Sequence, residues 1–235
     1  ISINSDELFI ANCSLKPKNT NFGFRKDITK LIKEWVPSYL RWPGGNYLSG
    51  YNWINGIGDK NYRLPFYDYA WYEWENNDVG TDEFMQWCEY IGSEPMITMN
   101  TGNGTPEEAA SWIEYITGSI KTKYGKLRAK NGRVKPYDLN TIFIGNEMFG
   151  GWQIGHTDAK TYALKYDKVV KGSEKVNPNL RYIAVGACSD HFVNWYEILL
   201  KHITRRVDER IGHYYSIRPE KDKTHPHYTS RYIPT

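Results

Sequence analysis

Cysteine is scarce in this chain: Cys13, Cys88 and Cys188 are all it has among 235 residues. An odd number at such wide spacing draws neither a disulfide framework nor a CxxC metal clip. No apolar run approaches the roughly 18 residues of a membrane-spanning helix. Neither sign of charge dominates. Thirty Lys and Arg stand against 27 Asp and Glu, a net +3 spread along the chain, which excludes the concentrated basic stripe of a nucleic-acid surface. There is no internal repeat, no low-complexity tract and no linker. The sequence opens on Ile1 and not on Met, so the lack of a leader there assigns no compartment.

What is abundant is aromatic. Nine Trp, nineteen Tyr and eight Phe make 15% of the chain, while the mean hydropathy is −0.66. Two readings stand: an ordinary Tyr-rich α/β core, since Tyr and Trp bury well with a wet polar tip, or a groove that stacks sugar rings. Trp35, Trp87 and Trp112 lie at helical spacing and read as core; Trp42, Trp53, Trp71, Trp74 and Trp152 lie in or near loops and read as stacking candidates.

Short apolar runs alternate with amphipathic ones, the signature of a parallel α/β fold. The spacing predicts strands at Leu8–Asn12, Ser38–Trp42, Pro95–Asn100, Thr141–Gly145, Arg181–Gly186 and Arg210–His213. Helices are expected over Phe24–Trp35, with Ile28, Leu31, Ile32 and Trp35 on one buried face, and over Gly80–Ile91, Ala159–Val176 and Phe192–His202. Thr105-Pro106-Glu107-Glu108 reads as a capping box opening a helix through Ile116. Two irregular stretches interrupt the rhythm: Pro43–Glu75, rich in Gly, Asn and rings and long enough to suggest function, and Lys121–Asp138, expected as a solvated basic excursion.

No GxGxxG follows the first strand, and Gly102-Asn-Gly104 lacks the Lys of a phosphate loop. The expected fold is therefore a (β/α)8 TIM barrel, six strands of it, two short of closure. Residues 1–235 then read as an incomplete catalytic barrel, truncated from a larger chain whose remaining strands and any accessory β-sandwich are absent. Open parallel edges are an aggregation liability, so the isolated chain is expected to be inactive and poorly soluble unless the missing segment is supplied.

Barrel chemistry sits at the C-terminal ends of strands. Those positions hold Arg41-Trp-Pro-Gly-Gly-Asn46, Asn100-Thr-Gly-Asn-Gly104, Gly145-Asn-Glu-Met148 with Trp152 and Gln153, and His213-Tyr-Tyr215. Amides, a carboxylate, an imidazole and rings suit a polyhydroxylated substrate; no metal triad and no cofactor cradle is legible. Glu147 is the sharpest residue. Partial desolvation inside an aromatic rim is expected to raise its pKa, as suits a general acid, and Asn146 beside it can donate to a sugar hydroxyl. His156 either orients this loop or is plain surface. Cys13 reads as a pocket-wall residue, and His225-Pro-His227 as a solvated loop.

These residues also carry a family resemblance. Leu40-Arg-Trp-Pro-Gly-Gly-Asn-Tyr-Leu-Ser-Gly-Tyr-Asn-Trp53, Gly80-Thr-Asp-Glu-Phe-Met-Gln-Trp-Cys88, Gly104-Thr-Pro-Glu-Glu-Ala-Ala110 and Ile144-Gly-Asn-Glu-Met148 with Trp152-Gln-Ile-Gly-His156 resemble, in order, glycoside hydrolase family 51, the α-L-arabinofuranosidases. The likeness covers about residues 22 to 216. It implies a retaining clan-A barrel that removes α-L-arabinofuranosyl residues from arabinoxylan, arabinan or related hemicellulose, with a plant cell-wall glycan as partner. It implies no cofactor, no nucleic acid and no membrane, and it allows a homo-oligomer. By the same resemblance Glu147 is the acid/base, and Asn46, Asn146, His213 and Tyr215 bind substrate. The nucleophile belongs to a seventh strand and is expected beyond Thr235; Glu174, Glu197, Glu209 and Glu220 do not match it. One departure keeps alternatives open. The family's carboxylate after the first strand is missing from Asn12-Cys-Ser-Leu-Lys16, and Glu7 precedes the strand. An endo-β-1,4-glucanase or xylanase on the same barrel, or a non-catalytic carbohydrate-binding remnant, is the competing expectation.

Overall fold

Thr141–Ile144 is buried at every position, as a strand covered on both faces must be. In the computed structural model, which describes residues 17–187 and 194–213, this strand is the middle of a five-stranded parallel sheet. The elements in chain order are β1 (Thr20–Asn21), β2 (Phe24–Arg25), α1 (Lys26–Trp35), β3 (Tyr39–Trp42), β4 (Phe66–Asp68), β5 (Glu73–Glu75), α2 (Thr81–Ile91), β6 (Glu94–Met99), α3 (Pro106–Thr117), α4 (Lys123–Lys130), β7 (Thr141–Ile144), α5 (Ala159–Val176), β8 (Arg181–Val185), α6 (Trp195–His202) and β9 (Glu209–Ile211). The sheet order is β3-β6-β7-β8-β9, strictly sequential. Consecutive strands pair in register, Trp42 with Ile97, Ile97 with Ile142 and Ile142 with Tyr182, so their C-terminal ends finish at one rim. The strand expected at Leu8–Asn12 lies outside the described residues, as do Cys13, Cys188, Tyr215, His225 and His227.

The helices begin where their caps dictate. Thr105 Oγ1 accepts from Glu108 N at 3.1 Å while Glu108 Oε2 accepts from Thr105 N at 2.6 Å, the reciprocal box read from the sequence. Asp158 caps α5 by accepting from Thr161 N at 2.9 Å. One residue of α5 fastens two strands together: the Tyr162 hydroxyl donates to Ile144 O at 2.6 Å and accepts from Val185 N at 2.8 Å. That pins β7 to β8 at the end where Glu147 emerges.

Three expectations are corrected. First, Ile28, Leu31 and Trp35 are exposed, Trp35 at 79%. Helix α1 instead turns Thr29 to the core, where its hydroxyl accepts from Trp87 Nε1 at 3.0 Å and donates to Arg25 O at 2.8 Å; Ile32 alone of the predicted face packs against the core. Second, Trp42 and Trp53 are not stacking platforms. Trp53 is buried and lies parallel to Trp112, 6.3 Å away, and Trp42 packs on Tyr51, Phe84 and Trp112. Trp87 and Trp112 are core, as expected. Third, the Lys121–Asp138 stretch contains α4 and a fully buried Arg128. Its guanidinium donates to the carbonyls of Tyr115, Ile116, Gly118, Arg133 and Val134, supplying partners for carbonyls that the end of α3 leaves open.

Candidate active site

The rim above β3, β6, β7 and β9 brings together side chains far apart in sequence. Strand β7 ends at Ile144, and the chain then turns through two left-handed residues, Gly145 at φ +90° and Glu147 at φ +42°. A positive φ at a non-glycine residue is uncommon and aims the Glu147 carboxylate out of the strand direction. Gly150 N donates to Glu147 O at 2.8 Å and Thr157 N to Met148 O at 2.8 Å, so the turn is closed on itself.

Two donors hold the carboxylate. Trp152 Nε1 donates to Oε2 at 2.7 Å, and His213 Nδ1 lies 2.8 Å from Oε1. The other imidazole nitrogen, Nε2, lies 3.4 Å from Arg41 Nη1. A guanidinium only donates, so Nε2 accepts and the proton sits on Nδ1, facing Glu147. Arg41 comes from the penultimate position of β3. It donates through Nε to Thr98 Oγ1 at 3.1 Å and through Nη2 to Asn146 Oδ1 at 2.6 Å, and its guanidinium covers the Phe143 ring. These contacts fix the Asn146 amide: with Oδ1 held by Arg41, Nδ2 faces Gln153 Oε1 at 3.3 Å and Asn46 Oδ1 at 3.5 Å. Gln153 in turn donates to the Ser49 hydroxyl.

Asn46, Asn146, Glu147 and His213, singled out in the sequence, thus form one continuous network; Tyr215 lies outside the described residues. His156 is exposed, and its Nδ1 lies 3.0 Å from the Gln153 carbonyl three residues before it. Arg41, Gln153, Ser49 and Thr98 were not assigned a role from sequence. The signal for Arg41 is a charge near the end of an otherwise apolar strand, where solvent alone does not explain it.

The expected rise in the Glu147 pKa is overturned. Hydrogen bonding from His213 lowers it below the ordinary carboxylate range; burial opposes this, and the Trp152 bond and the charge of Arg41 lower it further. Donors aimed at the charged form outweigh desolvation here. Arg41 is shifted down by burial, partly offset by Glu147. Among the described residues no cluster of His, Cys, Asp and Glu could hold a metal ion.

A pH prediction follows. The lowered pKa stabilises the fold above the unfolded carboxylate pKa, and this contribution is lost as pH falls through the lowered, folded value. Trp152→Phe removes one donor and moves the folded pKa back up. The variant should therefore be less stable than the parent at neutral pH, and the gap should close on acidification. Urea melts between about pH 3 and 7 measure this; superimposable profiles contradict the hydrogen-bond assignment.

The family model described as the α-L-arabinofuranosidase 1 domain matches residues 31–232. The chain is 40% identical to the family 51 α-L-arabinofuranosidase of Thermotoga petrophila, with a TM-score of 0.79 over 84% of this chain and 40% of that one. The chain belongs to glycoside hydrolase family 51. Within that family it is 41% identical to a probable α-L-arabinofuranosidase C of Aspergillus clavatus, over 83% of this chain and 38% of that protein. It is 36% identical to an intracellular exo-α-(1→5)-L-arabinofuranosidase of Bacillus subtilis, over 92% of this chain and 43% of that protein. An arabinose complex of the Thermotoga maritima α-L-arabinofuranosidase superposes with a TM-score of 0.79 at 40% identity, over 84% of this chain and 40% of that one. The chain thus spans about two fifths of the length of these family 51 relatives.

Proposed function

We propose that this chain carries the acid/base half of a retaining α-L-arabinofuranosidase, with Glu147 as the group that protonates the leaving oxygen and then deprotonates water. The observation that carries the reading is the Glu147 carboxylate at the rim of a parallel sheet, gripped by Trp152 and His213 beside an amide fixed by Arg41. Asn146, Asn46, His213 and Tyr215 are the sugar-binding residues of this reading.

The lowered pKa bears on the mechanism. In the state described, Glu147 is the carboxylate, the form needed to activate water in the second half-reaction. To act first as an acid it must take up a proton, and a second carboxylate about 5–5.5 Å away, the spacing retention requires, raises the pKa by like-charge repulsion. As the nucleophile bonds to the anomeric carbon, Glu147 gives its proton to the departing oxygen and returns to the base form, and the discharged nucleophile no longer raises its pKa. The nucleophile is not assigned to a residue of this chain.

The same reading extends the fold. The five sequential parallel strands are proposed as an arc of a (β/α)8 barrel. The exposed Ile28, Leu31 and Trp35 face of α1 and the edge of β3, unpaired among the described residues, support a further neighbour on that side.

The substrate is proposed to be an arabinose-bearing neutral hemicellulose or arabinan, attacked at its arabinofuranosyl ends. The test is product analysis with the whole protein carrying this chain. Arabinoxylan should yield free arabinose while its xylan main chain keeps its length. Shortening of the main chain without arabinose release overturns the reading.

A further inference from the structure

Asn146 and Gln153 are 1% and 2% exposed, and Ser49 is fully buried. Buried polar side chains persist where each donor meets an acceptor, and here the pairing has a direction. Arg41 sets it, because a guanidinium donates and never accepts. Its Nη2 donates to Asn146 Oδ1 at 2.6 Å, so the other end of that amide is the donor. Asn146 Nδ2 meets Gln153 Oε1 at 3.3 Å, which leaves Gln153 Nε2 to donate to the Ser49 hydroxyl.

The two hydrogens on Asn146 Nδ2 have different surroundings. One faces Gln153 inside the protein. The other faces Asn46 Oδ1, half-buried and 3.5 Å away. That distance is the limit of a hydrogen bond, so this is the hydrogen that a hydroxyl arriving at the rim can take. Turning the Asn146 amide over would set its NH2 against the Arg41 guanidinium and its carbonyl against Gln153 Oε1. Donor would meet donor, and acceptor would meet acceptor. Arg41 opposes the turn from one end of the amide and Gln153 from the other. Gln153 is itself held. Its N donates to Gly150 O at 2.9 Å and its O accepts from His156 N at 3.1 Å, while Ser49 O accepts from Asn103 N at 3.2 Å. The Gln153 side chain thus joins the turn after β7 to the loops that follow β3 and β6.

We propose that Gln153 is a positioning residue, which holds the Asn146 amide with one N–H aimed at the sugar hydroxyl next to the reacting carbon. Gln153 acts through Asn146 and touches no substrate itself. This inference rests on the glycosidase reading above and deepens it by naming what aims one of its substrate contacts. A hydrogen bond to that hydroxyl strengthens as the ring approaches its oxocarbenium-like transition state. A misaimed amide is therefore felt in kcat more than in KM.

The test uses the whole protein with phenyl α-L-arabinofuranoside and with its 2-deoxy analogue, which lacks that hydroxyl. Each variant is compared with the parent on each sugar. Gln153→Met keeps the length of the side chain and removes both polar ends. It should lower kcat/KM on the full sugar about 10- to 100-fold, mostly in kcat, and on the deoxy sugar less than about threefold. The contrast between two sugars within one variant does not depend on how much of that variant is folded. Asn146→Ala should show the same contrast. Gln153→Glu, read at its own pH optimum, should recover most of the loss, since a carboxyl oxygen still accepts from Asn146 and the Ser49 hydroxyl can turn to donate. An equal fall on both sugars in Gln153→Met, no fall on either, no recovery in Gln153→Glu, or no contrast in Asn146→Ala overturns the positioning role. With the parent active on the phenyl arabinofuranoside, each of these results leaves the glycosidase reading standing. A parent that releases no arabinose from it overturns that reading, and this inference with it.

Discussion

Glu147→Gln in the whole protein should slow hydrolysis of substrates with poor leaving groups by about 10²- to 10⁴-fold, the usual worth of general acid catalysis. Aryl arabinofuranosides with strongly acidic phenols should behave differently, because their leaving oxygen needs no proton. Their first step should stay near the parent rate, and the second, which needs a base to activate water, should become limiting. A burst of phenol followed by slow turnover is the expected trace. The amide is not a silent replacement. Both Trp152 Nε1 and His213 Nδ1 point donors at this side chain, and a glutamine has one oxygen to accept them. One bond is lost, at a cost of about 1–2 kcal/mol in stability, and thermal melts recorded beside the kinetics separate that loss from the catalytic one. Equal slowing on activated and unactivated substrates points to a structural glutamate.

The second large effect belongs to Gly145. Its φ of +90° suits glycine, and its amide donates to Met99 O at 3.0 Å, the last tie between β6 and β7 before the turn. A Cβ there meets the Thr101 hydroxyl and comes within 3.0 Å of Met148 Cγ. Strain in the left-handed region and overpacking of a buried site act together. Gly145→Ala should therefore cost about 2–5 kcal/mol and lower Tm by about 5–15 °C. Because Asn146 and Glu147 follow directly, the loss of activity should exceed what the unfolded fraction explains. A variant melting within about 2 °C of the parent contradicts the packing described here.

Much of this was legible before the coordinates. Helix α5 begins and ends where its caps and periodicity put it, at Ala159 and Val176, and four predicted strands match β3, β6, β7 and β8 within a residue or so. Apolar runs between capped helices are local signals, and parallel strands buried on both faces amplify them. The failures are tertiary. Helix α4 hides in a lysine-rich stretch with a glycine inside, and its reason for existing, the buried Arg128, is seen only once α3 presents its carbonyls. The face of α1 is misread because an apolar stripe does not say which neighbour covers it: Thr29, through Trp87, and not the stripe meets the core among the described residues.

At the site, the location of Glu147 was readable and its electrostatics were not. The rim position follows from where strand β7 stops. The direction of its pKa depends on a histidine 66 residues later and a tryptophan five residues later, and no local pattern reports which nitrogen faces the carboxylate. Arg41 stands 105 residues from the amide it locks.

On the proposed reading, Glu147 handles protons and does not attack the sugar. The most direct measurement is the product formed by Glu147→Ala from an activated aryl α-L-arabinofuranoside in the presence of azide. With the base removed, a small anion fills the space on the face where water attacks and captures the glycosyl-enzyme there. The expected result is faster turnover with azide and a product that is α-L-arabinofuranosyl azide, its anomeric configuration retained. The β-azide would instead make Glu147 the nucleophile, and no azide product with parent-like turnover would remove it from the chemistry.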